Sequence, residues 1–395
     1  MKKQTQAIHL PYHRRDAYDA LSMPVYNAVA FEFDDAKTMA DAFTSRIDAP
    51  DYSRVENPTV TNLEERVCAL VGASTVVAFN TGMAAISNTM MALTAQGRNV
   101  VTSRHLFGNT FSLLTQTLSR FGVEARCIDL TDEAAVAAAV DEQTCALFFE
   151  IVTNPQLEVA DVSMLARHAH AHGVPLVADT TAIPFTQFSA RELGVDIEVL
   201  SSTKYLSGGA TSLGGLVIDY GTHPGFGTTM RQEMLFNLGA YMTPQVAFLQ
   251  TMGLETLDAR YRVQSSNALE LALRLRNLPS IARVNYVGLA DNPFHDLAVS
   301  QFGPTAGAML TIDLSSEADC FRFINRLKLI HRATNLFDNR SLAIHPASTI
   351  FGLFTPEERA EMDVKDTTIR LSIGLEDVGD LFDDICQALS SDTTI

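Results

Sequence analysis

Three short apolar runs in this 395-residue chain are each followed at once by side chains able to do chemistry. After Thr-Val-Val-Ala-Phe comes Asn80-Thr81-Gly82-Met83, which opens a helix-like stretch. A glycine-containing turn entering a helix offers free backbone N–H groups and the positive end of the helix dipole, a setting that suits a phosphate. After Pro-Leu-Val-Ala comes Asp179. Such an acid can cap the next helix, or it can hold a heterocyclic nitrogen protonated so that the ring takes up electrons. After Asp-Ile-Glu-Val-Leu-Ser comes Ser202-Thr203-Lys204, followed by Tyr205-Leu206-Ser207-Gly208-Gly209. A lysine near positive or apolar groups has a lowered pKa and can condense with an aldehyde. The chain has six lysines (Lys2, Lys3, Lys37, Lys204, Lys328 and Lys365), and Lys204 is the one at such a strand end. Singly, these features read as a connection, a cap and a surface charge. Their order, from phosphate turn to acid to hydroxyls with lysine, points to one site.

The elements around them set where that site falls. Between about residues 60 and 220 the chain alternates helical spacing with short β-rich runs. TNLEERVCALVG is helical, with an asparagine available as N-cap and a glycine past its end. TVVAF, NVVTS, EARCIDL, CALFFEIV, PLVADT and IEVLSS read as strands, with helices at GMAAISNTMMALTAQG, DEAAVAAAV and SMLARHAHAHG. This alternation predicts an α/β domain around a mainly parallel sheet, whose ligands sit at the carboxyl ends of the strands. Past about residue 245 a long helical stretch, PQVAFLQTMGLETLDARYRVQSSNALELALRLRN, leads to AMLTIDL, a helix around FRFINRLKLI, IRLSIGL and a closing helix. This predicts a smaller α+β domain. The first 50 or so residues read as irregular or short helical structure.

Composition excludes several other functions. With 47% hydrophobic residues the chain can bury a large core, and its formal charge of −17 argues against nucleic acid or an anionic membrane as partner. No apolar run reaches the ~18 residues a membrane span needs. The two N-terminal lysines have no apolar stretch behind them, so no signal peptide is expected and a cytoplasmic enzyme is. The five cysteines are widely spaced and never in a C-x-x-C pair, which predicts neither a zinc site nor a disulfide framework.

Phosphate turn, acid and lysine are the parts that pyridoxal 5′-phosphate (PLP) requires. The chain resembles the PLP-dependent enzymes of cysteine and methionine metabolism in the strings YSRVENPTVTNLEERV, TGMAAI, TNP, VADT, SSTKYLSGG, SLGGLVID, GLETL, SLAIHPAST and IRLSIGLED. The resemblance covers nearly the whole chain. It implies the aspartate-aminotransferase-like architecture of fold type I, with an N-terminal arm (1–55) reaching a neighbouring subunit, a PLP-binding domain (56–245) and a C-terminal domain (246–395). It implies Lys204 as the Schiff-base lysine, Asp179 at the pyridine nitrogen and Asn154 at the phenolic oxygen. Gly82, Met83, Ser201 and Thr203 are implied at the phosphate, with Tyr52 and Arg54 serving the phosphate of an adjacent subunit. Arg370 is implied at the substrate α-carboxylate, with Asn335 at the substrate and Phe107 stacked on the ring. A homotetramer of two active dimers is implied as well.

Within the family the segment Asn335-Leu336-Phe337-Asp338-Asn339-Arg340-Ser341-Leu342 is most similar to that of O-acetylhomoserine sulfhydrylases. Arg340 stands where cystathionine synthases and lyases carry Glu, and Asn109 where methionine γ-lyases carry Cys. The implied activity is γ-replacement on an O-acyl-homoserine by sulfide, giving homocysteine in methionine biosynthesis. The rival is a γ-lyase releasing 2-oxobutyrate and ammonia, and a remoter one a catalytically silent regulatory module. Phe107 replaces the family's usual Tyr, Thr180 its Asn and Phe351 a His common in sulfhydrylases. A phenyl ring keeps the stacking but cannot donate a proton, which favours a leaving group such as acetate.

Overall fold

A computed structural model describes residues 1–10 and 18–390. Residues 11–17 of the expected arm lie outside the described residues. Two sheets organise the chain. The first holds β1 (Thr75–Phe79), β2 (Asn99–Ser103), β3 (Glu124–Ile128), β4 (Thr144–Glu150), β5 (Leu176–Asp179), β6 (Ile197–Leu200) and β7 (Gly215–Asp219), in the order β1-β7-β6-β5-β4-β2-β3. From β6 to β3 every pairing is parallel. β7 runs antiparallel to both β1 and β6. The mainly parallel α/β sheet therefore forms as read. Apart from edge strand β3 its strands are almost wholly buried, which accounts for continuous apolar runs such as Ala-Leu-Phe-Phe in β4.

The second sheet holds β8 (Arg283–Asn285), β9 (Met309–Asp313), β10 (His331–Arg332), β11 (Leu342–Ile344) and β12 (Thr368–Ser372), in the order β10-β11-β12-β9-β8. Between the sheets runs the helix Pro244–Leu275, 32 residues or about 48 Å long. Its buried Leu254, Leu257 and Tyr261 face the first core and its Ala268, Leu271 and Leu275 the second. Each such large side chain contributes about 1.5–3 kcal/mol.

Two helix boundaries differ from the sequence reading. The helix over TNLEERVCALVG starts earlier, at Pro58, capped by Asn57, whose side chain accepts the Thr59 N–H; Asn62 lies buried inside it. Its C-cap is Gly72 in the left-handed region, as its sequence suggested. The helix around FRFINRLKLI spans Glu317–Arg326 and stops there. Asp384 is the reason: its carboxylate accepts the N–H groups of Lys328, Leu329 and Ile330, each at 2.9 Å, and draws that backbone away from helix. Among the described residues no helix is long and apolar enough to cross a membrane.

Candidate active site

A cavity of about 540 Å³ opens where the carboxyl ends of β4, β5 and β6 meet the second sheet. One wall is the turn after β1. There Thr81 caps the helix Gly82–Leu93 by accepting the Ala84 N–H at 3.0 Å, leaving the first N–H groups of that helix facing the cavity mouth. Glycine is required at position 82, because a Cβ there would lie 2.6 Å from Ser201 Cβ. Gly215 is equally constrained, since its Cβ would lie 2.2 Å from the Thr81 carbonyl oxygen. The two close approaches press the turn against the Ser201 loop and form a cradle lined by Thr81, Gly82, Met83, Ser201 and Thr203.

Lys204 projects into this cavity and donates to Asn335 Oδ1 at 2.8 Å. Burial, reinforced by the positive charge of Arg370, lowers its pKa from the usual lysine value to about 8, with Asp179 opposing the shift. The ring of Tyr205 stacks on Phe337 at 4.1 Å, and the Tyr205 hydroxyl accepts the Ala308 N–H at 3.0 Å. These contacts bind the lysine segment to the loop that carries Asn335.

Asp179 ends β5 and accepts the Thr181 N–H at 2.9 Å; burial pushes its carboxyl up, while Thr181 and Lys204 pull it down. Arg370 lies on β12, 2% exposed. Its two terminal nitrogens donate to Asn154 Oδ1 at 3.0 Å and to the Asn335 carbonyl at 3.1 Å. Its Nε is buried without a partner, and burial lowers its pKa to about 9. A buried guanidinium with a donor to spare calls for an anionic ligand.

Gly82, Met83, Phe107, Asn154, Asp179, Ser201, Thr203, Lys204 and Arg370 thus line one cavity, with Asn335 in contact with Lys204. Tyr52 and Arg54 do not line it. The Arg54 guanidinium lies 5.4 Å from the centre of the Tyr52 ring and donates to the Phe236 carbonyl. The Thr203 hydroxyl accepts the Gly214 N–H at 3.0 Å and directs its own proton to the Gly214 carbonyl at 3.2 Å, so it must rotate to donate to an anion. Two of the departures from the family, Thr180 and Phe351, lie off the cavity wall, as does Arg340, the position that separates this chain from cystathionine enzymes. Thr180 points behind the sheet and donates to Glu198 at 2.9 Å. Phe351 is buried in a cluster with Ala347, Met362 and Val364. Arg340 is largely exposed and pairs with Asp338 at 3.0 Å.

Sequence reading missed Glu150, Thr181, Thr334, Thr349 and Ile350, all of which line the cavity. Glu150 ends β4 just as Asp179 ends β5, and the rule that singled out Asp179 applied equally to it.

The donor set fits PLP: a cradle that a Cβ would fill, free helix N–H groups for a phosphate, a carboxylate for a ring nitrogen, a lysine amine of lowered pKa and an unsatisfied arginine. Fold and site together define a fold type I PLP-dependent enzyme. The profile of the Cys/Met metabolism PLP-dependent enzyme family matches residues 4–390, and the chain belongs to that family. It is 36% identical over 389 residues to L-methionine gamma-lyase of Pseudomonas putida, covering 98% of this chain and 97% of that one. It is 36% identical over 370 residues to O-succinylhomoserine sulfhydrylase of Pseudomonas aeruginosa, covering 93% and 90%. A Campylobacter jejuni structure, provisionally assigned as an O-acetylhomoserine (thiol)-lyase and containing a pyridoxyl-lysine monophosphate, superposes with a TM-score of 0.95 at 32% identity, covering 99% of this chain and 100% of that one.

Proposed function

We propose that this enzyme catalyses γ-replacement on an O-acyl-L-homoserine, with the acetyl ester as substrate and sulfide as the incoming nucleophile, releasing acetate and L-homocysteine for methionine biosynthesis in the cytoplasm. The observation that carries this reading is Phe107, which meets the cavity with a ring that has no proton to give. Bound PLP supplies an electron sink for the carbanion formed at the substrate Cα. Asp179 holds the charge opposite the ring nitrogen, and Arg370 pairs with the substrate α-carboxylate in place of its present contact with Asn154. Lys204, with a pKa about 8, acts as a base near neutral pH: it removes the Cα proton and delivers it one atom away. Loss of a Cβ proton then supplies the electron pair that expels the acyloxy group from Cγ as acetate, a stable anion that needs no proton from the wall. Sulfide adds at the same carbon, and protons return to Cβ and then Cα to give homocysteine.

The cations lining the cavity, Lys204 and Arg370, are both engaged in this scheme. The wall at Ile86, Leu213, Leu336 and Ile350 is apolar, which suits the methyl end of an acetyl group better than a second carboxylate. The same reading makes residues 1–55 an arm serving the adjacent subunit of a homotetramer, 56–245 the cofactor domain and 246–395 the C-terminal domain. Assaying acetyl-, succinyl- and phospho-homoserine, each with sulfide and with cysteine, tests it. The acetyl ester with sulfide should give the highest kcat/KM. A clear preference for the succinyl ester would reject the acyl assignment, and a preference for cysteine would reject the sulfur donor.

A further inference from the structure

Glu150 and Asp179 end adjacent parallel strands and are paired in register, so their side chains fall on the same face of the sheet, and both line the cavity. Asp179 faces the lysine and accepts from Thr181. Glu150 does something different. Its Oε1 accepts the Phe107 N–H at 2.6 Å, and the backbone N–H of Asn154 acts on the same carboxyl electrostatically. It thus holds, through the main chain, the two residues whose side chains meet the ring face and the ring oxygen of the cofactor. Two carboxyls at the ends of neighbouring strands in a buried site repel each other, which favours a proton on one of them.

The surroundings decide which. Lys204 and Arg370 stand across the cavity, and Lys204 acts on Asp179. His105, in the loop leading to Phe107, has both ring nitrogens bound to other acids, Glu158 and Asp363. The helix Gly82–Leu93 and strand β2 carry no ionisable side chain. On the far face of the sheet, Arg167 and His168 pair with Glu133, and His170 with Asp196. No cation is therefore directed at Glu150 among these elements.

We propose that Glu150 is a positioning residue held as a neutral carboxylic acid, seating Phe107 and Asn154 around the cofactor ring while the carboxylate charge of the site stays on Asp179. Burial first, and then repulsion by Asp179, push its carboxyl well above the ordinary range, in agreement with that geometry. The inference does not depend on which amino acid reacts, so it stands or falls separately from the substrate assignment.

The test compares Glu150→Gln and Glu150→Ala in the holoenzyme, with thermal melts of both as a check on folding. A neutral amide still accepts from Phe107, so Glu150→Gln should keep kcat, and the pH profile of the cofactor's visible absorption, within about threefold and unshifted. Glu150→Ala leaves the Phe107 N–H unpaired and should lower kcat by roughly 10- to 100-fold and weaken cofactor retention while KM changes little. The infrared difference spectrum of wild type minus Glu150→Gln at pH 7 should contain the C=O stretch of a protonated carboxylic acid. A Gln variant as impaired as the Ala variant, or absence of that band, would show that Glu150 works as an anion and overturn the proposal. A harmless Ala variant would overturn the positioning role.

Discussion

The amine of Lys204 meets Asn335 Oδ1 at 2.8 Å, so the lysine that follows β6 is held by the segment between β10 and β11 of the other sheet. The site is complete only where the two sheets meet. With its pKa lowered to about 8, this amine becomes nucleophilic at a pH where an ordinary lysine remains protonated. Below that value it is a cation and inert towards an aldehyde; above it the free amine dominates. The rate at which cofactor-free protein captures PLP should therefore rise with pH and level off past a midpoint near 8. Borohydride should then fix the cofactor to the peptide containing Lys204. A midpoint near 10.5, or labelling elsewhere, would contradict the assignment.

Arg370 is buried, forked between Asn154 and Asn335, and left with an unsatisfied Nε. Lysine cannot reproduce a planar fork. Arg370→Lys should raise KM for the amino-acid substrate by roughly 10- to 100-fold, the worth of a charge-assisted hydrogen-bond pair. The visible spectrum of the bound cofactor should survive. An unchanged KM would assign the arginine a purely structural role.

His105 joins Glu158, at 3.0 Å, to Asp363, at 2.8 Å, and so ties the loop before Phe107 to the segment preceding β12. Burial alone would depress its pKa, but the two carboxylates outweigh burial and raise it above 6.5. A raised histidine contributes stability that is complete below 6.5 and is lost as pH rises through the folded value. The Tm difference between wild type and His105→Gln should accordingly be largest on the acid side, above the range where the carboxylates protonate, and shrink as pH rises through the raised folded value. A difference that grows with pH would contradict the raised value.

Strand periodicity and strand-end chemistry made most of this site legible. Asp179, Lys204 and Gly82 stand out because a reactive or conformationally special residue interrupts an apolar run. Glu150 was hidden because Ala-Leu-Phe-Phe-Glu-Ile-Val reads as one buried strand, in which a lone acid looks like its solvent end. β7 went unread as a strand because Gly214 and Gly215 lead into it, and they serve close approaches, Gly214 to Gln250 and Gly215 to Thr81, rather than a turn. The end of the helix at Arg326 depends on Asp384, 58 positions away in the chain, and no local pattern carries that information. Thr180 and Phe351 looked informative about substrate because they depart from the family, but side-chain direction puts both away from the cavity.

Tyr52 and Arg54 keep clear of their own cavity, in keeping with a role in a neighbouring subunit. Mixing inactive Arg54→Ala chains with inactive Lys204→Ala chains should restore part of the activity, because a mixed dimer assembles one site with neither change. If the subunits exchange and no activity returns, the sharing is refuted.

Phe107 bears on the departure of the leaving group, the step that separates an acyl ester from a thioether substrate, and it is the residue on which the choice of substrate is argued. Removing a general acid typically costs about 10²–10⁴-fold, a loss that falls on thiol leaving groups and spares acetate. The deciding measurement is therefore product partition in the wild-type enzyme: O-acetylhomoserine with and without sulfide, and methionine alone, each assayed for homocysteine and for 2-oxobutyrate. The account predicts homocysteine as the main product when sulfide is present, with little keto acid from methionine. Faster release of 2-oxobutyrate from methionine than consumption of O-acetylhomoserine would contradict it and make the enzyme a γ-lyase.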